Sequence, residues 1–436
     1  MSDLISQAQA AADCGNWARV TDLLQHILLS DDALLLEGGN GEVLLHLALQ
    51  VLRAGDFHEQ WEVAKVFSSF GVAAIAPLIA LLQDEEADLE AQWFAARILG
   101  DSNHPTAIRA LVEQLKASDD EDLSQMLAEA LANLGTPAIA ALAELLAAAE
   151  TRLFALQALA QIRHPETIPP LLSVVHDPQP TIRAIAIEAL SSFRDPRTPD
   201  VFIQALTDPA AAVRKAAIAA LSVRTDLREA LELVTQLANC LWDVDLSVCQ
   251  QAALALGRLG SDAAIPPLVR ILTSANTPIP LQQDTVRALS WLGTSNALET
   301  LKQWLFAEAT PYPREVQSEV IAALGRWSQP ELQLIAAEAL VHTLTVPSVV
   351  NDTALRQAIA TALGTLKQPS TLEPLIQLLA DDDAGVRLHV IAALKSIDPK
   401  TAYARLEEMQ TNQELSDNLR AGIAVALSEW QTELPR

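Results

Sequence analysis

The chain has 436 residues, half of them hydrophobic, with only 15 glycines and 4% aromatic residues, a balance that argues against both a disordered chain and an all-β fold. Its 29 Lys and Arg against 55 Asp and Glu give a formal charge of −26. A surface this acidic repels phosphate backbones and anionic bilayers, so neither nucleic-acid binding nor membrane insertion is expected.

The N-terminus, Met1-Ser2-Asp3-Leu4, lacks the basic-then-apolar pattern of an export signal. Residues 1–56 read as a helical cap. One helical stretch runs from Leu4 to Leu29 with a break at Gly15, and a second from Glu42 to Arg53. Gly38-Gly39-Asn40-Gly41 is expected to be the loop between them. Cys14, Cys240 and Cys249 form no disulfide framework, which points to a reducing, cytoplasmic setting. The apolar stretch from Pro137 to Ala149 is too short to span a bilayer.

From residue 57 to residue 436 the chain repeats itself. An Ala-Leu pair recurs with its leucine at Leu131, Leu159, Leu190, Leu221, Leu256, Leu289, Leu324, Leu363, Leu394 and Leu427. Ile98-Leu99 and Val66-Phe67 are weaker versions. A unit of about 32 residues therefore recurs eleven or twelve times. Within one unit Ile182, Ala186, Ala189, Leu190 and Phe193 form one helical stripe, and the alanines allow a neighbouring helix to approach closely. A second helix should open at Ile168-Pro-Pro170, Ile265-Pro-Pro267, Ile75-Ala-Pro77 and Leu372-Glu-Pro374, because proline fits a first helical turn, where the amide hydrogens lack intrahelical partners. The predicted fold is an all-α, right-handed α-solenoid of two-helix repeats with an N-terminal helical cap.

Arginine stands seven residues before the marker leucine at Arg152, Arg183, Arg214, Arg356, Arg387 and Arg420. Asp177, Asp208 and Asp381 stand six residues before three of these. A residue repeated in register is architecture, so these form a structural ladder in which each arginine meets loop carboxylates or carbonyls. Cys249 occupies a ladder position.

The pattern Asp-x-x-x-x-Val-Arg-x-x-Ala-x-x-Ala-Leu, at Asp208 to Leu221 and Asp381 to Leu394, resembles a HEAT repeat. More narrowly it resembles the short HEAT-like repeats of the phycobilisome-lyase (PBS lyase) type. The resemblance implies a packing scaffold. It also implies an alternative, a phycobilin lyase or bilin-lyase-like chaperone acting on phycobiliproteins. Such a protein holds a bilin against an apoprotein cysteine, a task of positioning more than of side-chain chemistry.

Function is sought where regularity breaks. The stretches Ser274 to Leu281, Ala307 to Arg314 and Thr345 to Asp352 are long, proline-rich connections that should lie on one edge. Trp291 and Tyr312, the latter between Pro311 and Pro313, are candidate partner-binding residues there. Trp61 and Trp93 sit off the core stripe. They read either as half-buried between neighbouring first helices or as an aromatic patch for a partner. Trp304, Trp327 and Trp430 read as core. Acidic runs at Asp84-Glu85-Glu86, Asp119-Asp120-Glu121-Asp122 and Asp381-Asp382-Asp383 favour a protein partner with a basic or mixed face.

No phosphate loop, nucleophile elbow or metalloprotease motif is present, and no catalytic residue, metal or cofactor is expected. A single His58-Glu59 pair supplies too few ligands for the diiron site of HEAT-repeat oxygenases. The leading expectation is a non-catalytic scaffold or chaperone that binds a protein partner through the groove and edge loops of the solenoid. A bilin ligand belongs only to the alternative.

Overall fold

The computed structural model describes residues 2–29, 39–306, 313–412 and 414–431. Helix is the regular structure throughout these residues, with no strand among them. The chain packs as two compact units, Met1–Val201 and Phe202–Arg436.

In the first unit, helices Ser2–Asp13 and Trp17–Leu28 are separated at Gly15, whose φ of +67° favours glycine. The next helix, Gly39–Ala54, begins inside the expected Gly38–Gly41 loop. Small residues tolerate a helix N-terminus, so the glycines start this helix instead of preventing it. The helices Phe57–Ala64, Leu89–Asp101, Glu121–Leu134, Ala149–Gln161 and Pro180–Leu190 then pack each on the next. Behind them run the second helices Ile75–Leu82, Pro105–Ala117, Ile139–Leu145 and Ile168–Ser173. Phe67, the weakest marker, lies in a tight 3-10 segment, Phe67–Ala74, and is still buried.

The second unit follows the same plan. Its first helices include Ala211–Ser222, Leu246–Leu259, Ile279–Leu292, Arg314–Leu324, Thr353–Leu366, Ala384–Ile397 and Asp417–Gln431. Leu233–Asn239, Ile265–Thr273, Ser295–Leu305, Pro330–Thr343, Leu372–Leu378 and Pro399–Gln410 are the second helices. Both units are therefore all-α solenoid segments. All four proline-marked second helices begin at the residue expected: Ile75, Ile168, Ile265 and Leu372.

The marker leucines from Leu99 to Leu394 are fully buried, as are the alanines beside many of them. Trp304, Trp327 and Trp430 are buried too. Glycine follows the marker leucine in four units, and there the first helices are in close contact. A Cβ at Gly257 would stand 2.7 Å from both the Cα and the carbonyl oxygen of Ala288. Gly100 against Ala130, Gly325 against Ala362 and Gly364 against Ala393 repeat the contact. The obstacle at Gly257 is backbone, which cannot swing aside.

Gly257→Val should therefore force the helices Leu246–Leu259 and Ile279–Leu292 apart. Overpacking of this kind costs about 2–3 kcal/mol, to be read from urea denaturation of the full chain. Wild-type stability in that variant would mean that the contact does not set the helix spacing.

Candidate functional site

Three features stand out against this regular background. The first is the arginine ladder. Three of the arginines, Arg152, Arg214 and Arg356, span two successive loops. With one edge each ladder arginine donates to carbonyls of the loop just before its own helix. Arg152 reaches Leu146 O at 2.7 Å and Ala147 O at 3.2 Å. Arg183 reaches Asp177 O and Pro178 O, Arg214 reaches Asp208 O and Pro209 O, and Arg387 reaches Asp381 O and Asp382 O. With the other edge the guanidinium of those three grips the following loop. Arg152 donates to Asp177 at 3.0 Å, Arg356 to Asp381 at 2.6 and 3.2 Å, and Arg214 to both oxygens of Asp243 at 2.7 and 2.6 Å. Arg420 reaches Leu415 O at 3.0 Å and Asp417 at 3.4 Å.

The aspartates thus divide their atoms. Asp177 gives its carbonyl to Arg183 and its carboxylate to Arg152, while the other carboxylate oxygen accepts from Gln179 N at 2.8 Å. Asp381 is used the same way by Arg387, Arg356 and Asp383 N. Asp208 gives its carbonyl to Arg214, and its carboxylate accepts from Ala210 N at 2.8 Å. Asp243 holds a rung without having stood out in the sequence. Its hydrogen bond from Arg214 keeps its carboxyl below the usual range and raises the guanidinium. At Cys249 the rung is missing: the thiol reaches only Asp243 O, at 3.2 Å.

The second feature is aromatic and lies in the first unit. Asp56 and Glu59 close a capping box at the start of helix Phe57–Ala64, which engages the carboxylate of the lone His58-Glu59 pair in holding the helix. That start projects Phe57, 52% exposed, over Trp61 and Trp93, with ring centroids 6.3 and 5.9 Å away. Trp61 and Trp93 are both half-buried and meet through Phe57 and through Arg97. The Arg97 guanidinium sits 3.9 Å from the Trp61 ring centre and 5.6 Å from that of Trp93. Together with Met126, Glu129, Ala130 and Asn133 they line a cavity of about 370 Å³. The indole Nε1 of Trp93 is buried with no hydrogen-bond partner.

The third feature is an edge of the second unit. Trp291 is 45% exposed beneath the Arg258 guanidinium, 5.5 Å from the ring centre. Tyr312 lies outside the described residues, as does most of the stretch from Ala307 to Arg314. Of the other long connections, Ser274 to Leu281 is a short turn that enters helix Ile279–Leu292, and Thr345 to Asp352 folds a one-turn helix, Pro347–Val350. The sequence reading passed over Trp242 and Val244, which are 52% and fully exposed at the preceding loop. The available signal was their position: Trp242 stands where neighbouring units carry His176 and Thr207, and Val244 where they carry Pro178 and Pro209.

Among the described residues no group of three or more His, Cys, Asp or Glu is placed to hold a metal ion. Burial pushes the Cys240 thiol up to about 11 and also raises Cys249, so neither is a ready nucleophile. No single helix among those residues is long and apolar enough to cross a membrane.

The HEAT repeats family matches residues 46–132, 75–151, 147–222, 199–279, 232–325 and 348–428, well over half of the chain. The chain belongs to the HEAT-repeat family. Its resemblance to the phycobilisome-lyase type has support in a curated relative, the bilin biosynthesis protein PecE of Mastigocladus laminosus. The two are 30% identical over 155 residues, 35% of this HEAT-repeat chain and 52% of that protein. The chain thus spans about half the length of the curated relative it matches. Among solved structures, importin beta is similar with a TM-score of 0.55 and 13% identity, over 88% of this chain and 61% of that one. A chain in a homology model of the full-length AP-3 complex gives a TM-score of 0.51 at 12% identity, over 98% of this chain and 93% of that one. At these identities the likeness is one of fold.

Arg214 and Asp243 are each 11% exposed at the side chain. Arg214→Ala should cost about 3 kcal/mol by leaving a buried carboxylate unpaired. The Asp243 carboxyl titrates lower folded than unfolded, so its contribution is full above the ordinary carboxylate range and is lost as pH falls through the depressed folded value. Arg214→Met should accordingly flatten the acid limb of the stability curve, measured by denaturation at a series of pH values.

Proposed function

We propose that this HEAT-repeat protein is a non-catalytic scaffold or chaperone that binds a protein partner carrying a basic or mixed face. The observation that carries the reading is the Phe57–Trp61–Trp93 cluster. It presents a large aromatic surface at the rim of a 370 Å³ cavity and contains a buried indole donor without a partner. Glu85, Glu86, Asp88 and Glu90 lie just before and at the start of helix Leu89–Asp101, which carries Trp93. They would steer a basic face toward the site and make its capture salt-sensitive. Trp291 and the Ser274 to Leu281 turn offer a further contact in the second unit, and Tyr312 remains a candidate from the sequence. A cytoplasmic location accords with the buried, unpaired Cys240 and Cys249.

The second reading is a bilin-lyase-like chaperone, favoured by the match to PecE. It needs no catalytic side chain of this chain, because the incoming nucleophile belongs to the phycobiliprotein.

The two readings separate experimentally. Proteins retained by the immobilised chain at low salt would be identified by mass spectrometry and the affinity measured with the purified partner. Trp93→Ala should weaken that affinity by roughly 1–2 kcal/mol, the loss typical of an aromatic anchor. Unchanged affinity would move the site away from this cluster. For the alternative, free phycocyanobilin mixed with the chain should give a red-shifted, sharpened absorption band. An unaltered spectrum, in the presence of the phycobiliprotein as well, removes that reading.

A further inference from the structure

Cys249 stands at a ladder position, and its unit shows what a rung looks like with the guanidinium taken away. At Arg152, Arg183, Arg214 and Arg387, the carbonyls six and five residues earlier both accept from the guanidinium. The matching carbonyls here belong to Asp243 and Val244. Asp243 O receives only the Cys249 thiol, a weak donor, and no protein donor among the described residues reaches Val244 O. Across the gap, where Arg214 finds a carboxylate, the next loop offers Ser274, Asn276 and Thr277. A cavity of about 300 Å³ fills the space between the two loops.

The rim of the cavity is markedly apolar. Trp242, Val244 and Leu246 are exposed there, one of them completely, at a loop tip where polar residues would be the ordinary choice. Arg270 covers one face of Trp242 at 4.7 Å and leaves the indole half-exposed. The vacant position therefore joins acceptors arranged for a planar, forked cation to an apolar collar.

We propose that this slot binds the arginine side chain of a protein partner, in a segment where apolar residues flank the arginine. The partner's guanidinium would take the place of the missing rung, donating to Asp243 O and Val244 O and to the polar side chains of the 274–277 turn. Its apolar neighbours would pack on Trp242, Val244 and Leu246. The Asp243 carboxylate is already paired with Arg214, so the complementary charge beside the slot is that of Asp245. The proposal deepens the partner-binding reading. It uses the second unit alone and can stand or fall apart from the Trp61–Trp93 site.

The probe is the capped peptide acetyl-Leu-Arg-Leu-amide, titrated against the full chain labelled with 5-fluorotryptophan and followed at the Trp242 resonance. The arginine peptide should shift that resonance saturably. The peptides with citrulline or lysine in place of arginine should bind about tenfold more weakly, since one lacks the charge and the other the fork. Cys249→Arg should supply the rung from within the chain, abolish the shift and raise the unfolding temperature. If that variant folds poorly by circular dichroism, Cys249→Gln, the residue type already present at Gln282, should weaken the response instead. Cys249→Ala should preserve it. Equal binding of the citrulline or lysine peptide, or an undiminished shift in the variants that fill the slot, would overturn the proposal. A Trp93→Ala chain that loses its partner yet keeps the arginine-induced shift would separate the two sites.

Discussion

Everything in this fold depends on how closely one first helix can approach the next. A two-helix unit has too little surface to bury its own apolar stripe and must lean on its neighbour. The leaning works because the facing positions are alanine or glycine: at Gly257 and Ala288 one helix rests on the backbone of the other. That spacing decides how far apart successive loops lie. The loop separation in turn lets a single arginine reach from the carbonyls of one loop to the carboxylate of the next. A wider spacing would put Asp243 beyond the reach of Arg214, so the packing of small residues comes before the electrostatics.

The ladder also shows how a buried ion pair can be tolerated. Desolvating a guanidinium is expensive unless its donors are used. In Arg214 two edges are spoken for, by carbonyls on one side and a bidentate carboxylate on the other. Asp243 is likewise shared with the amide of Asp245, so its loop is fixed from within as well as from without. The charge is neutralised locally and the turn is held at the same time.

Much of the architecture was legible because it is periodic. The marker leucines fall on a helical stripe, and proline at Ile168-Pro-Pro170 or Ile265-Pro-Pro267 announces the start of a helix. The ladder was legible in register but its pairing was not. Asp177 lies six residues before Arg183, yet its carboxylate serves Arg152, because stacking brings together residues that chain proximity does not. The aromatic cluster was half legible: Trp61 and Trp93 stood off the stripe, whereas the roles of Phe57 and Arg97 depend on rotamers. Trp242 and Val244 escaped because exposure at a turn has no period. The division into two compact units at residue 201 was equally silent, since the repeat runs through it without a change of composition.

The rungs have a direction. Arg152, Arg214 and Arg356 are each completed on one side by their own repeat and on the other by the repeat that follows, so Asp177, Asp243 and Asp381 take the cation of the repeat before. Copying a whole unit within such a run therefore preserves every bond, since the departing cation finds an arriving carboxylate of the same kind. The array can lengthen or shorten by complete units without any new interface having to evolve. A cut at an arbitrary point leaves a cation on one fragment and an anion on the other, which makes whole units the natural currency of growth for this chain.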